Sequence, residues 1–196
     1  MNHLWSPWRA AHVESYAPPP PGTGSVFSRI AASPERDAEH FVVWRGTTVF
    51  VVMNLYPYNN GHLLVVPYRE VPTYADLDDD AHVEIARTIR RAMGWLRAAL
   101  APDGFNVGLN EGAAAGAGIP EHLHVHVVPR WAADTNFMPT LAGTKVIPEA
   151  MRATYEKLIA AVDSEEIEAE EMEAEEMEAE GGTQAAAGDG RAAAGE

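Results

Sequence analysis

The chain has 196 residues, of which 46% are hydrophobic, and it carries a formal net charge of −15. This length accommodates one domain with a sizeable core. The chain has no cysteine, which excludes disulfides and thiolate metal sites and favours a reduced, cytoplasmic setting. No apolar run reaches the length of a membrane-spanning helix, and the first residues lack the basic start and apolar stretch of a signal peptide.

The negative charge is concentrated near the C-terminal end. Residues 163–196 contain 13 acidic residues and one arginine, whereas the other 162 residues have a net charge of −3. Such an acidic segment repels phosphate groups. We therefore expect no non-specific binding to nucleic acid and no binding to anionic membranes.

Composition divides the chain into three regions. Residues 1–24 form an N-terminal arm with a Pro-rich linker, and residues 25–162 alternate apolar runs with turn signals, as a folded domain does. Residues 163–196 are acidic and of low complexity, with a five-residue repeat that matches neither helix nor strand periodicity. Because like charges there are three and four residues apart, we predict a disordered tail that is at best transiently helical.

Five strands are predicted within the domain. Two β-branched and aromatic segments flank Arg45-Gly46 and predict a hairpin, and a turn cluster ending at Gly61 precedes a third strand that Pro67 stops. In chain order the predicted strands are His40–Trp44, Thr48–Asn54, His62–Val66, Phe105–Leu109 and His122–Val128.

Two helices complete the prediction. The first has a candidate N-cap at Asp76 or Asp78 and a stop at Pro102, and Pro148 opens the second. The apolar stripe of the first helix consists of Val83, Ala86, Ile89, Met93, Leu96 and Leu100. That of the second consists of Met151, Tyr155, Leu158, Ile159 and Val162. Together with the strands, these helices predict an α+β fold with a mainly antiparallel five-stranded sheet.

Three of the eight histidines recur at alternate positions, at His122, His124 and His126. On a strand these side chains share one face, while the apolar residues between them face a core. A solvated edge strand normally uses Thr, Lys, Glu and Ser on its exposed face, so alternating imidazoles are unexpected there. A zinc site built on His-x-His remains an alternative, although it needs further ligands that the spacing does not show.

The segment His122-Leu-His124-Val-His126-Val-Val128 resembles the motif of the histidine triad family of nucleotide-binding hydrolases and transferases. The resemblance includes Asn54, with His62 as a fourth histidine eight residues later, and Asn110 in the loop before the triad. It covers roughly residues 25–160. Residues 4–9 and 128–137 further resemble the bacterial branch that contains diadenosine tetraphosphate phosphorylases.

This resemblance implies a reaction at the α-phosphate of a nucleotide. His124 is the implied nucleophile, which forms a nucleotidyl-histidine intermediate, and His126 assists the leaving group. His122 and His62 support the row by orientation and positive potential. The preferred activity is phosphorolysis of diadenosine tetraphosphate to ADP and ATP. The alternatives are hydrolysis of nucleoside phosphoramidates or dinucleoside polyphosphates, and a non-enzymatic sensor or scaffold whose acidic tail recruits a basic partner.

The resemblance also implies the binding residues. Asn54 and Asn110 are the implied nucleotide contacts, and Gly116 and Gly118 the implied phosphate contacts through backbone amides. A Gly/Ala tract alone is equally typical of a flexible connector. Many relatives have a Ser or Thr hydroxyl just before the triad, whereas residues 119–121 here are Ile-Pro-Glu. We therefore assign no hydroxyl donor at this place.

Many bacterial members have a structural zinc site that begins with Cys-x-x-Cys. This chain has Ser25-Val-Phe-Ser28 there and no histidine at 67–70, so we predict no structural zinc. The expectation is that no cofactor is required, although a divalent cation can accompany the nucleotide. The family implies a homodimer or higher homo-oligomer.

Three further predictions concern single residues. Arg130 contacts either a distal phosphate or a structural ion-pair partner. Trp131 lies near a nucleotide or subunit interface, or else packs within the domain. The remaining histidines, His3, His12, His40 and His82, are expected at the surface or in local contacts.

Overall fold

The computed structural model describes residues 24–132, 134–135 and 147–188, with side chains as far as residue 172. The N-terminal arm with its 4–9 segment, residues 136 and 137, and residues 189–196 lie outside the described residues. Among the described helices, none combines the length and the apolar character needed to cross a membrane.

The described part of the chain forms one antiparallel sheet of five strands in the order β1-β2-β3-β5-β4. The strands are β1 Val42–Arg45, β2 Val49–Met53, β3 Leu63–Pro67, β4 Gly104–Leu109 and β5 Val125–Arg130. The helices are α1 Val26–Ala31, α2 Asp37–His40, α3 Asp79–Leu100 and α4 Met151–Gly188. Short 3-10 turns lie at Pro34–Arg36, Tyr74–Asp76 and Ala113–Ala115. The predicted α+β fold is confirmed.

Different helices cover the two faces of the sheet. Helices α3 and α4 pack on one face, where Trp95 and Leu158 are fully buried in the main core. On the other face, Phe27 and Ile30 of α1 pack in a second cluster with Phe50 of β2. Because both faces are covered, every residue of β2 and β3 is buried. The functional site lies on the α1 face.

Helix α3 is close to its predicted bounds, but its buried face is different. Asp78 is the N-cap, since its side chain accepts the Ala81 N–H at 2.9 Å. Of the predicted stripe, Leu96 is fully buried and Ile89, Met93 and Leu100 pack partly buried against the core, whereas Val83 is 48% exposed and Ala86 is also exposed. The buried residues of the helix are Ala81, Ile85, Thr88, Ala92, Trp95 and Leu96. The helix packs against both the sheet and α4. Because of this second contact, small and polar residues are buried that apolar periodicity does not identify.

Helix α4 differs from prediction at both ends. It begins at Met151, three residues after Pro148, which lies in a bend, so the prediction that Pro148 opens the helix is wrong. At the other end it continues to Gly188, where the sequence predicts a disordered tail from residue 163. Glu165 ties the continuation to α3 by accepting hydrogen bonds from Trp95 Nε1 at 2.6 Å and Arg91 Nε at 3.0 Å. Ala and Glu also have high helix propensity. The three-region division of the chain stays a prediction.

The predicted strand His122–Val128 begins later and ends later than expected, at Val125 and Arg130. His122 and His124 therefore precede β5. The alternation nevertheless extends into this segment, because Leu123 is buried in the main core and its N–H donates to the Val71 carbonyl at 2.8 Å. The histidines consequently face the α1 side of the sheet.

Candidate active site

A cavity of about 790 Å³ lies between α1 and the sheet. Its apolar wall includes Phe27 and Ile30 of α1 and Leu64 of β3. Six of the eight predicted site residues line it, namely Asn54, Asn110, Gly116, Gly118, His124 and His126. His62 and His122 do not line it and are buried behind it, with exposed fractions of 1% and 0%.

His124 lies at the cavity with a defined tautomer. Its Nδ1 is 2.9 Å from the carbonyl oxygen of His122, and a carbonyl can only accept, so Nδ1 carries the proton. In the neutral ring Nε2 then holds the lone pair. Burial lowers the pKa of His124 below the ordinary imidazole value, and the backbone hydrogen bond only partly opposes this. The ring is therefore a neutral imidazole at neutral pH, which is the nucleophilic form.

A hydrogen bond from His62 sets the tautomer of His126. The backbone N–H of Tyr58 donates to His62 Nδ1 at 3.0 Å, so the neutral His62 ring carries its proton on Nε2. That nitrogen lies 3.0 Å from His126 Nδ1 and donates to it. The proton of the neutral His126 ring is consequently on Nε2. Asn110 Nδ2 is 3.4 Å from this nitrogen, and rotating the amide by 180° brings its oxygen towards the proton.

Gly61, which has a φ of +72°, forms the turn that immediately precedes His62. A Cβ at this position would lie 2.4 Å from Leu100 Cδ1, so another residue would strain the backbone and displace this leucine side chain. Asn59 anchors the same turn, because its side-chain amide donates to the Pro129 carbonyl at 3.1 Å and to Asp134 at 2.8 Å. The turn before His62 is thus held between β5 and α3.

His122 is bonded on both ring nitrogens. Nε2 lies 2.8 Å from the Pro67 carbonyl and Nδ1 lies 2.6 Å from the Ser25 hydroxyl. Burial lowers the pKa of this imidazole, which Pro67 and the negative charge of Glu70 partly oppose. His122 is a structural neighbour of His124, to which it presents its main-chain carbonyl.

Asn54 and the glycine loop form parts of the cavity rim. Asn54 Oδ1 accepts the Tyr56 N–H at 2.9 Å, while its Nδ2 lies 3.3 Å from His62 Nδ1. In the loop, Gly112 and Gly116 have φ values of +77° and +86°, conformations that glycine adopts without strain. The N–H of Gly116 donates to the Ala113 carbonyl at 2.9 Å, so this amide is already used within the turn. A Cβ at Gly118 would meet no atom within 4 Å, which leaves an open approach there.

The sequence patterns do not identify several of the residues that line the cavity. Tyr58 stacks on His126, with ring centroids 5.5 Å apart and an interplanar angle of 24°. Arg29, Arg36 and His40 also line the cavity, although His40 is expected at the surface. The sequence does signal α1 through the three-residue spacing of Phe27 and Ile30 after the N-capping Ser25. The helix has only six residues, however, so this pattern is too short to predict it. The basic residues follow only from how α1 and α2 fold over the sheet.

The structure resolves the choice for Arg130. Its guanidinium pairs with Asp134 at 2.6 Å and donates to Asn106 Oδ1 at 2.7 Å, which is the structural alternative. This pairing holds the pKa of the Asp134 carboxyl well below its usual range. Neither Arg130 nor Trp131 lines the cavity. His82 makes a local contact, with Nε2 2.9 Å from the Tyr74 carbonyl.

The donor set favours hydrogen bonding over metal binding in this part of the molecule. Within the described ranges, no three His, Cys, Asp or Glu side chains come together in a way that could hold a metal ion. Ser25, Ser28, Glu70 and His122 instead bond to one another. Serine hydroxyls are poor zinc ligands.

Comparison with known proteins gives a consistent result. The HIT domain model matches residues 35–133. The chain is 44% identical to the AP-4-A phosphorylase of Mycobacterium tuberculosis H37Rv, over 79% of this chain and 80% of that protein. The protein belongs to the HIT family. It is therefore an enzyme of the class of nucleotide hydrolases and transferases.

More distant HIT relatives extend this picture. The asymmetrical bis(5'-nucleosyl)-tetraphosphatase of Schizosaccharomyces pombe is 32% identical over 47% of this chain and 50% of its own length. A zinc-bound histidine triad protein of Mycobacterium smegmatis has a similar fold, with a TM-score of 0.60 at 24% identity. That alignment covers 73% of this chain and 96% of the other.

Proposed function

We propose that this HIT family member cleaves diadenosine tetraphosphate by phosphorolysis, with ADP and ATP as products. The observation that carries the proposal is His124, which lines the cavity with Nδ1–H bonded to the His122 carbonyl and a lone pair on Nε2. The 44% identity to a protein named AP-4-A phosphorylase supports the choice of substrate.

In the first step, His124 Nε2 attacks the α-phosphorus of one adenosine. A P–N bond forms, the P–O bond to the rest of the chain breaks, and ATP leaves. The imidazole becomes positively charged, and the His122 carbonyl that accepts Nδ1–H stabilises this charge. His126 Nε2–H donates a hydrogen bond to the departing oxygen and stabilises its charge, while His62 holds the other side of that ring.

In the second step, an oxygen of inorganic phosphate attacks the same phosphorus. The P–N bond breaks, ADP forms, and His124 returns to the neutral imidazole. His126 keeps its proton in both steps and the proton of the incoming phosphate stays with the product, so the histidines end as they began. Water as the acceptor would give AMP, so the identity of the acceptor distinguishes phosphorolysis from hydrolysis.

The cavity provides suitable contacts for one nucleotide. Phe27 and Ile30 offer an apolar wall for the base, and Asn54 offers polar atoms for the ribose. The open approach at Gly118 suits a phosphate oxygen, whereas the Gly116 amide is engaged in its own turn. Arg29 adds positive charge to the same cavity for a polyphosphate chain, whereas the charge of Arg36 is paired with that of Glu39 at 2.8 Å.

The test is incubation with diadenosine tetraphosphate, with and without inorganic phosphate, followed by separation of the products. We expect ADP and ATP in equal amounts, formed only with phosphate present. Isotopically labelled phosphate should appear in ADP and not in ATP. AMP formed without phosphate would contradict phosphorolysis.

The second candidate is hydrolysis of dinucleoside polyphosphates or nucleoside phosphoramidates at the same site. The 32% identity to a tetraphosphatase favours keeping it. The same assay decides, because hydrolysis gives AMP and ATP regardless of phosphate, and a phosphoramidate substrate gives AMP and the free amine.

We further propose that the enzyme is a cytoplasmic homodimer or higher homo-oligomer without a structurally required cofactor, and that a divalent cation acts only as a companion of the nucleotide. Light scattering after size-exclusion chromatography tests the assembly. Prolonged chelation followed by removal of the chelator tests the cofactor. We expect an unchanged melting temperature and full activity once Mg²⁺ is returned.

A further inference from the structure

Of the three histidines at 122, 124 and 126, His122 is the one that the reaction does not use directly. Both of its ring nitrogens are hydrogen-bonded. Its Nε2 is 2.8 Å from the Pro67 carbonyl, which can only accept, so Nε2 carries the proton. Its Nδ1 must then accept in the neutral ring, and the Ser25 hydroxyl lies 2.6 Å away as the donor. The Phe27 ring packs edge-on against the imidazole, with centroids 5.4 Å apart.

Ser25 is itself held from a third element. Its backbone N–H donates to Glu70 Oε2 at 2.8 Å, and the Ser28 hydroxyl donates to the same oxygen at 2.5 Å. The Ser25 hydroxyl also accepts the Ser28 N–H at 3.1 Å as the N-cap of α1, which aims its own proton away from the helix. These hydrogen bonds lower the pKa of Glu70, which is therefore an anion that accepts from both serines.

The geometry points to Ser25, supported by Glu70, as a positioning residue: its hydroxyl donates to Nδ1 of the Nε2–H tautomer that Pro67 selects, which holds His122 in place and with it the carbonyl that orients His124. The chain of contacts runs from Glu70 to Ser25, from Ser25 Oγ to His122 Nδ1, and from the His122 carbonyl to His124 Nδ1. Each of these three contacts is a hydrogen bond in which only one of the two atoms can donate. The inference rests on the proposed role of His124 as nucleophile.

The contacts also decide which residue matters more. Ser25 is fully buried and touches the imidazole directly, whereas the Ser28 hydroxyl is 3.5 Å from the same nitrogen. Losing the Ser25 hydroxyl leaves His122 Nδ1 without its close donor, so of its two close hydrogen bonds the ring keeps only the one to Pro67. Losing the charge of Glu70 leaves the Ser25 hydroxyl in place, so its effect should be smaller.

The test compares Ser25→Ala with Ser25→Thr, which keeps both the hydroxyl and the N-cap. Steady-state assays give kcat and KM, and ¹⁵N NMR of histidine-labelled protein reports the protonation of each ring nitrogen. We expect Ser25→Ala to lower kcat by roughly 10-fold with KM within about two-fold, and Ser25→Thr to recover most of kcat. Glu70→Gln should lower kcat by roughly two- to three-fold.

The KM and NMR readouts separate positioning from loss of the helix cap. Helix α1 carries the cavity residues Phe27 and Ile30, so a frayed helix would raise KM rather than lower kcat alone. In the unmodified enzyme, His122 Nδ1 should show the shift of an unprotonated nitrogen that accepts a hydrogen bond. In Ser25→Ala this signal should move, while the His62 and His126 signals stay in place.

Two results would overturn the inference: a protonated His122 Nδ1 in the unmodified enzyme, or wild-type kcat in Ser25→Ala. If the unmodified enzyme cleaves no nucleotide, the proposed function fails separately, and the His122 NMR signals in the two variants then decide whether Ser25 donates to His122 Nδ1.

Discussion

The four histidines of the site form two pairs with opposite environments. The front pair, His124 and His126, lines the cavity, and a hydrogen bond with a neighbour fixes one nitrogen of each ring, while Asn110 lies 3.4 Å from the other nitrogen of His126. The rear pair, His62 and His122, lies behind them, and both nitrogens of each ring are bonded within the protein. Identical side chains thus divide into reacting and orienting groups according to whether the fold places them on the cavity wall or buries them behind it.

The largest expected effect is at the front pair. His124→Ala should lower kcat by on the order of 10³-fold or more, because the Nε2 lone pair that forms the bond to phosphorus is lost. The affinity for AMP, measured by calorimetry, should stay within about 10-fold, since the rest of the cavity is retained. Full activity in this variant would contradict the assignment of His124 as the reacting histidine of the front pair.

His126→Ala tests the second front residue. We expect kcat to fall by about 10²-fold with diadenosine tetraphosphate, because the leaving oxygen loses its hydrogen-bond donor. The control is the 2,4-dinitrophenyl ester of AMP, whose leaving group is a much weaker base than the phosphate oxygen of ATP and needs less stabilisation. There the loss should be roughly 10-fold smaller. Equal losses with both substrates would show that His126 does not act on the leaving group.

His62 offers a matched test of the rear pair. His62→Leu leaves His126 Nδ1 without a donor and should lower kcat by about 10-fold, whereas the amide of His62→Gln can still donate. The glutamine variant should therefore lose only about three-fold. If the two variants behave alike, the hydrogen bond to His126 has no part in orienting it.

The pH dependence sharpens the same comparison. Burial lowers the pKa of His124, so the ring stays neutral and nucleophilic as the pH falls below the ordinary imidazole value of 6.5. We expect the acid limb of the single-turnover rate of ATP release to have its midpoint below 6.5. This measurement omits inorganic phosphate and its own ionisation. A midpoint above the ordinary imidazole value would contradict the burial argument.

The smallest effect is expected away from both pairs. Glu165→Gln removes the ion pair with Arg91 but keeps an acceptor for Trp95 Nε1. Because both partners are partly exposed, the free energy of unfolding should fall by less than about 1 kcal/mol, measured by urea denaturation. The kcat should not change. A loss of activity here would show that losses at the histidine pairs can arise from stability alone.

Alternation and motif spacing predicted much of the fold and the membership of the site. The sheet, the two long helices and the resemblance carried by the 122–128 segment followed from local patterns. The errors have physical causes. Val83 is exposed because α3 packs against two partners, and such contacts between distant residues have no local signal. Helix α4 continues beyond residue 163 because Glu165 bonds to α3 and because Ala and Glu favour helix, a local signal that the repulsion between like charges was expected to outweigh.

The sequence by itself determined that three imidazoles stand on one side of a buried strand segment, because side chains alternate along an extended chain. Only the tertiary structure decided which of them face the cavity and which ring nitrogen carries each proton. Those protons are directed by Pro67, Tyr58 and Ser25, which come from other parts of the chain. A tautomer depends on the partner that folding places within hydrogen-bond distance, and that partner is not encoded by spacing.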